Sequence, residues 1–216
     1  MSRNQAKFFI RKGRVSVDGK VVTDPNSDLA NDSHVIFDGK QISIVGYKYI
    51  VLHKPRSYVC AIGDTEFASA LELIDDRWEE KSYYFANALG PEQTGLVLLS
   101  DDARWANRMR KRLLRKTCVY QLRSTNVVSE DQIRQIKDTF STASDNQTEM
   151  IIDIEKQHEQ LLLLSLNLSH VQMALNILGS FSLVMDSLHL LQLGMLRLGD
   201  LKEGDYLELT ENEIRV

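Results

Sequence analysis

Two Asp-Gly pairs, each set between short alternating apolar runs, constrain the fold of this chain's first part more than any other feature. They are Asp18-Gly19, between residues 15–17 and 20–22, and Asp38-Gly39, between residues 35–37 and 41–43. An Asp-Gly pair favours the two-residue turn whose backbone twist matches that of paired strands. The pattern therefore predicts two β-hairpins. A helix over residues 4–12, ended by Gly13, is expected before them.

The hairpins end near residue 44, and Val45-Gly46 reads as a linker. We therefore expect a small helix-plus-hairpins module over residues 1–44 and a larger domain over residues 47–216. The larger part mixes helical and strand patterns without a repeat, which is typical of an α+β fold. We expect one helix over residues 68–74, a second that begins at the Asp101-Asp102 pair, a third that begins at the capping box Ser129–Gln132, and a fourth from a Ser169 cap to Leu178. The expected strands include residues 96–99, residues 161–168, a strand near residue 183 and residues 193–198.

Composition indicates a globular protein that does not enter membranes. Of its 216 residues, 43% are hydrophobic and 26% are charged. The longest apolar-rich stretch, residues 161–168, is too short to cross a bilayer, and the polar N-terminus has no apolar signal-peptide core. We expect a cytoplasmic protein in which Cys60 and Cys118 are reduced thiols. The five histidines are scattered singly, so we expect no metal site, and no cofactor is expected.

Charge is distributed unevenly around a net value of −4. Residues 1–20 carry six cations against Asp18 alone, and residues 103–123 carry eight cations without an acid. Because affinity for phosphate depends on the local field, these runs predict nucleic-acid contacts. The alternative is a solvated helix face. With two cations near the start of the larger domain, the candidate contact residues are Arg3, Lys7, Arg11, Lys12, Arg14, Lys20, Lys54, Arg56, Arg108, Arg110, Lys111, Arg112, Arg115 and Lys116.

The first module resembles the RNA-binding module named after ribosomal protein S4. The resemblance rests on residues 2–7, 10–15 and 17–22, which read Ser-Arg-Asn-Gln-Ala-Lys, Ile-Arg-Lys-Gly-Arg-Val and Val-Asp-Gly-Lys-Val-Val. It implies that a helix and the adjacent hairpin present cations to structured RNA. The chain departs from the family pattern by beginning at the Ser-Arg pair, where the family has a preceding helix, so we expect a truncated module.

The larger domain resembles the bacterial rRNA pseudouridine synthases, in the branch that modifies small-subunit rRNA. Residues 52–60 read Leu-His-Lys-Pro-Arg-Ser-Tyr-Val-Cys, close to the family's Leu-Asn-Lys-Pro-x-Gly-Tyr-Val-Cys. Residues 94–102, 116–117, 203–206 and 209–211 match further family segments in the same order and spacing. This resemblance covers nearly the whole chain. It implies a central mixed, mostly antiparallel sheet flanked by helices, with rRNA or a ribosomal precursor as the partner.

The resemblance also implies where catalysis would occur. The family has an essential Asp in the segment Gly-Arg-Leu-Asp-x-Asp-Thr-x-Gly-Leu, and a carboxylate suits attack or proton transfer beside the sugar. Here residues 87–96 read Asn-Ala-Leu-Gly-Pro-Glu-Gln-Thr-Gly-Leu, so the Asp position is Gly90 and the Arg position is Ala88. The family Tyr after Lys-Thr is Cys118, and two later cations are Gln172 and Met173. We therefore expect no catalytic residue.

Some residues near these positions have more than one interpretation. Glu92 is a weak surrogate for the missing carboxylate, although it aligns with the family's second acidic position behind Pro91 and is better interpreted as a loop carboxylate. His53 and His170 are interpreted as ordinary polar residues near a cleft. Residues 188–191, in a stretch that is rich in Arg in the family, read Leu-His-Leu-Leu. Their apolar side chains are expected to cover the former RNA face.

Three functions are therefore open. The first is an RNA-binding protein that has lost its catalytic activity. The second is an active uridine isomerase that uses an unconventional carboxylate, such as Glu92 or Asp101. The third is a protein-interaction or regulatory role, with a partner protein or a second copy bound at residues 188–191. The first and third are compatible with each other.

Overall fold

The computed structural model describes residues 3–30, 33–42, 47–61, 66–74, 82–143, 153–210 and 213. The chain divides into two compact units, Met1–Gly46 and Tyr47–Val216. Among the described residues, none of the helices is long and apolar enough to cross a membrane.

The first unit is a helix followed by two hairpins, as the Asp-Gly pairs predict. Helix α1 (Arg3–Arg11) precedes strands β1 (Val15–Val17), β2 (Lys20–Val22), β3 (Val35–Phe37) and β4 (Lys40–Ile42). The strands form an antiparallel sheet in the order β2-β1-β3-β4. Both residues of each Asp-Gly pair have φ between 49° and 80°, the left-handed backbone that this class of turn requires. Residue 43, which the sequence assigns to the last strand, lies outside the described residues.

The first unit has a thin core. Of its described hydrophobic residues, only Val35 is buried. Ala6, Phe9 and Ile10 of α1 face the sheet across a cavity of about 220 Å³ whose walls are mostly apolar. Burial of apolar surface therefore contributes little to the stability of this unit, as expected for a module of this size.

The second unit is built on one large mixed sheet. The strands of this unit are β5 (Tyr49–Lys54), β6 (Tyr58–Val59), β7 (Ala68–Ser69), β8 (Tyr84–Phe85), β9 (Gln93–Ser100), β10 (Thr117–Ser124), β11 (Asp153–His158), β12 (Leu161–Asn167), β13 (Met185–Leu193), β14 (Leu196–Arg197) and β15 (Tyr206–Glu208). Of these, β6 and β7 pair with each other in a separate two-stranded parallel sheet. The main order is β11-β12-β10-β13-β9-β5-β15, with β8 on β9 and β14 on β13. Among the described pairings of this sheet, β13 with β9 is parallel and the others are antiparallel. The predicted α+β class and mostly antiparallel sheet are confirmed.

Among the described residues, three α-helices accompany the sheet: α2 (Ala103–Leu113), α3 (Glu130–Ala143) and α4 (Val171–Ser180). The start of α2 agrees with the sequence, because the Asp102 side chain accepts hydrogen bonds from the backbone N–H groups of Arg104 and Trp105. The capping box before α3 is also present, in both directions between Ser129 and Gln132. The predicted helix over residues 68–74 is instead a short strand followed by a single 3-10 turn over Ala70–Leu73. Ser169 does not cap α4, which begins after a second short 3-10 turn.

Strand β13 is the element that the sequence assigned least well. The chain runs as one strand over nine residues where two separate strands, near 183 and over 193–198, were expected. Its parallel seam with β9 pairs Leu188 with Gln93, His189 with Thr94 and Leu190 with Gly95. Gly95 has φ 113°, and a Cβ there would lie 2.3 Å from the carbonyl oxygen of Leu190. The seam therefore requires glycine at this position.

Candidate functional site: the Gly90 loop and two cationic surfaces

The loop between β8 and β9, residues 86–92, occupies the position at which the resemblance places catalysis. It is held to β9 by Asn87, whose buried side chain donates to the carbonyl of Leu96 at 3.0 Å and accepts from the N–H of Leu98 at 2.8 Å. Gly90 is exposed at its tip, and its N–H donates to the side-chain oxygen of Gln93 at 3.0 Å. The loop is therefore well ordered without a carboxylate at its centre.

The backbone does not require glycine at position 90. Gly90 lies outside the left-handed region, and a Cβ there would be 4.0 Å from its nearest neighbour, the Gln93 side chain. This is ordinary van der Waals contact, so a Cβ fits there without strain. The residue at the position where the resemblance places the carboxylate is therefore not fixed as glycine by the backbone.

The other residues that the resemblance singles out here are Glu92 and Ala88 in the loop and Cys118 in β10. The Glu92 side chain is 73% exposed and lies 3.5 Å from the guanidinium of Arg56. Ala88 is exposed and carries no charge. Cys118 is completely buried, donates to the carbonyl of Leu166 at 3.0 Å, and has its pKa raised by burial to about 12. Its thiol therefore belongs to the core of the sheet.

Lys54, which was predicted to contact RNA, is buried and bonded within the protein. Its side chain is fully buried because strand alternation places it on the same face of β5 as the buried Ile50 and Leu52. The ammonium donates to the carbonyls of Pro55 at 2.8 Å and Tyr58 at 2.7 Å, and burial lowers its pKa. Lys54 thus holds the β5–β6 turn.

Arg56 is exposed, but its guanidinium already has hydrogen-bond and ion-pair partners within the protein. Its guanidinium donates to the carbonyl of Asp186 at 2.7 Å, besides the ion pair with Glu92. The next residue, Ser57, donates its N–H to the carbonyl of Pro91 at 2.8 Å. These contacts tie the β5–β6 turn to the Gly90 loop and to the start of β13.

A polar cluster beside this loop was missed by the sequence reasoning. His53 and His189 have ring centroids 5.1 Å apart, and His189 Nδ1 lies 2.7 Å from the Thr94 hydroxyl. Because a carbonyl only accepts, the 2.8 Å contact of His53 Nδ1 with Leu201 puts the proton on Nδ1. His53 Nε2 is then a buried acceptor without a partner among the described residues. Burial, and next the neighbouring His53, lower the pKa of His189.

Residues 188–191 do not form the exposed apolar patch that was expected. Leu188 and Leu190 are buried at 3% and 0% exposure, since alternation along β13 turns them into the core. His189 and Leu191 face the other way and are half-buried. The strand periodicity around His189 was the signal that could have predicted this, had β13 been recognised as one strand.

Most cations of the basic run at residues 104–116 lie together on the exposed side of α2 and directly after its end. Trp105, Ala106, Met109 and Leu113 form the buried face of the helix. Spacings of three and four residues place four exposed cations together on one flank of α2, and a fifth follows directly after the end of the helix. We call this set the α2 stripe: Arg104, Arg108, Lys111, Arg112 and Arg115. It extends about 12 Å from Arg104 to Arg112 at the rise of an α-helix. None of the five has an ion-pair partner among the described residues.

Two other members of the run differ from the stripe. Arg110 lies on the opposite flank, where its guanidinium donates to the carbonyl of Phe85 at 2.5 Å. It therefore anchors α2 to β8 and is engaged within the protein. Lys116 is half-buried after the end of the helix.

The first unit presents a second cationic surface. Its members are Lys7, Arg11, Lys12 and Lys20, which have no ion-pair partner among the described residues and which we call the module cations. Arg14, also predicted to contact RNA, is instead paired through its guanidinium with both carboxylate oxygens of Asp38. It also stacks on Phe9 and Phe37, at 4.4 and 5.1 Å from the ring centroids. Arg3 lies in α1, and its side chain is outside the described set.

The described residues contain no group of three or more His, Cys, Asp or Glu side chains that could hold a metal ion. The two acids that follow β9 accept hydrogen bonds from backbone N–H groups. Asp101 accepts from the N–H of Lys48 at 2.7 Å, and Asp102 caps α2. Neither is free to act in catalysis without loss of these bonds.

Known proteins resemble the chain in both units. A protein family described as the S4 domain matches residues 2–36. The chain is 27% identical to the ribosomal small subunit pseudouridine synthase A of Vibrio parahaemolyticus and 25% identical to that of Vibrio cholerae, in each case over 99% of this chain and 92% of the relative. A crystal structure of a pseudouridylate synthase matches 99% of this chain and 93% of its own, with a TM-score of 0.64 at 21% identity. These likenesses agree with the family and fold that the residues indicated.

Proposed function

Because the chain is similar over 99% of its length to two proteins named ribosomal small subunit pseudouridine synthase A and has the pseudouridine synthase fold, we propose that it binds structured RNA and does not isomerise uridine. Ribosomal RNA or its precursor is the proposed partner, because the relatives are named for the small ribosomal subunit. The proposal includes a cytoplasmic location, where such RNA is modified.

The absence of a side chain at Gly90 is the observation that carries the loss of activity. Forming pseudouridine requires that uracil leave its ribose and be rejoined through carbon, and the base must first leave its stack. The resemblance assigns the reacting carboxylate to this position. Gly90 offers none, although the loop around it keeps its order and its spacing to β9. Ala88, at the position where the resemblance places an Arg, is uncharged.

The contacts of Glu92 and Asp101 argue against an unconventional active site. Glu92 points into solvent toward Arg56, and its ion pair restrains it only weakly. Asp101 follows the far end of β9, about 25 Å along the strand from Gln93 at the rise of a β-strand. A carboxylate at that distance cannot act on a base held at the Gly90 loop.

RNA affinity is proposed to come from the α2 stripe and the module cations. Most residues of both sets are exposed, and none of them forms an ion pair with an acid in the described part of the chain. Counterion release at phosphates would then supply most of the binding free energy, with little dependence on base sequence.

Incubation of the purified protein with a small-subunit rRNA fragment, followed by mass-spectrometric detection of pseudouridine, tests the loss of activity. We expect none, because removing such a group commonly lowers the rate by 10²- to 10⁴-fold. Gly90→Asp should fold normally and remain inactive, since Ala88, Cys118, Gln172 and Met173 still differ from the family. Turnover that Glu92→Gln abolishes would instead show an active enzyme.

Titration of a labelled rRNA hairpin at several salt concentrations tests the binding. Affinity should fall steeply with salt, by roughly 0.7 to 0.9 in logarithmic slope for each phosphate contact. Arg108→Glu with Arg112→Glu should weaken binding to all RNAs alike. Arg134→Glu is the matched control, because Arg134 is an exposed cation of the same unit that already pairs with Asp131. Binding that is absent at low salt would favour the protein-interaction function.

A further inference from the structure

We infer that this protein anneals complementary RNA strands, by holding one strand on the α2 stripe and the other on the module cations. The inference rests on the proposed RNA binding and goes beyond it. A single binding surface would suffice for RNA affinity, whereas the chain carries two, one in each of its two compact units.

The two surfaces are equivalent in chemistry and independent in construction. The α2 stripe is fixed by a helix whose opposite face is buried in the core of the second unit and whose Arg110 is bonded to β8. The module cations lie on α1 and the first hairpin, within a unit that has its own sheet. Each set offers several cations without acidic partners in the described part of the chain. Each can therefore take a phosphate backbone without the other.

Annealing is limited by repulsion between two polyanions. A protein that neutralises part of each backbone lowers this repulsion, and it raises the local concentration of one strand near the other. Tethering two weak sites in one molecule makes the second encounter intramolecular, which multiplies its probability without new contacts.

The charge balance of the whole chain favours release of the product. The protein carries 30 acids against 26 Lys and Arg residues, and several cations outside the two surfaces, such as Arg134 and Lys137, are paired with acids. Such a protein cannot coat RNA as a polycation does. Acids lie on other elements, for example Glu130 and Asp131 at the start of α3. Contacts on two small surfaces leave most of the duplex free, and the duplex can then dissociate.

The test uses two complementary RNA strands with a donor dye on one and an acceptor dye on the other, mixed at low salt. The full-length protein should accelerate the rise of energy transfer about tenfold or more, in line with local enrichment of a charged partner. The acceleration should pass through a maximum as the protein concentration increases. Beyond that point each strand occupies a separate protein molecule, whereas a polycation effect would rise steadily.

Variants assign the activity to the two surfaces. Arg108→Glu/Arg112→Glu removes the stripe, and Arg11→Glu/Lys12→Glu removes part of the module cations; Arg14 is left intact because it pairs with Asp38. Each double variant should still bind one labelled strand, with a lower salt slope, and should lose the acceleration. Arg134→Glu should anneal as the unaltered protein does.

Three results would overturn the inference. One is binding of single strands without any acceleration, which leaves the proposed RNA binding intact. Another is full annealing by either double variant. The third is recovery of activity when the two double variants are mixed, because bridging would then occur between copies of the chain. Loss of single-strand binding by the unaltered protein would remove the proposed function itself.

Discussion

Replacing Gly95 by Ala would place a methyl carbon 2.3 Å from the carbonyl oxygen and 2.6 Å from the nitrogen of Leu190. Neither atom can move freely, because Leu190 is also paired with Tyr120 on the other side of β13. The substitution must therefore separate β13 from β9 along their three paired positions. It also forces an alanine to adopt φ 113°.

The expected loss is about 4 kcal/mol in the free energy of unfolding, from about 1–3 kcal/mol of backbone strain and about 1 kcal/mol for each of two lost hydrogen bonds. This is a large part of a typical stability of about 5–15 kcal/mol. In urea unfolding followed by circular dichroism, the midpoint should fall by about 2 M if the m-value is about 2 kcal/mol/M.

Gly90→Ala is the matched control, because its Cβ meets nothing nearer than 4.0 Å and its backbone is not left-handed. It should leave the midpoint unchanged or raise it slightly, by restricting the unfolded chain. Equal midpoints for the two alanine variants would refute the claim that the seam excludes a side chain.

Three further predictions concern single groups. The pKa of His189 is lowered in the folded protein from its ordinary 6.5, so the unfolded chain binds the proton more readily. The free energy of unfolding should therefore fall as the pH drops below about 6.5. His189→Gln should reduce this pH dependence in urea titrations at several pH values. The thiol of Cys118, with its pKa raised to about 12, should react with iodoacetamide at pH 8 far more slowly in the native protein than in urea, as mass spectrometry of the labelled peptide can show; equal rates would contradict its burial. Asp102→Ala should lower the free energy of unfolding by about 1 kcal/mol by removing the cap of α2. The same change at Asp131, which lies between the box residues Ser129 and Gln132 and takes no part in their hydrogen bonds, should cost less.

The elements that the sequence predicted well are those with local signals. The Asp-Gly turns, the cap at Asp102 and the box at Ser129–Gln132 depend on neighbouring residues, and the structure contains all three. The sequence did not predict β13 as a single strand, because the strand depends on pairing with two distant strands, β10 and β9. The 3-10 turn at Ala70–Leu73 shows the same limit, since its helical composition is overridden by tertiary packing of the buried Ala70 and Leu71.

The resemblance, by matching residues 87–96 to a family segment, predicted which groups the candidate site lacks, and this stays a prediction. The cations were harder to predict from the sequence. A list of Lys and Arg residues, however, does not distinguish the buried Lys54, the anchoring Arg110 and the paired Arg14 from the free members of the α2 stripe. The His53–His189 cluster depends on which residues of β5, β9 and β13 become neighbours, and a sequence does not carry that information directly.

The short seam between β13 and β9 also has a consequence for how the sheet opens. It divides the main strand order into one half with β11, β12, β10 and β13 and another with β9, β5 and β15. Seven paired positions join β10 to β13 and six join β5 to β9, against three at the seam. In hydrogen exchange, each half should then behave as a cooperative unit, and the amides of residues 93–95 and 188–190 should exchange before those within either half. Breathing along this line would momentarily expose the sheet beside the Gly90 loop, where Thr94 and His189 meet.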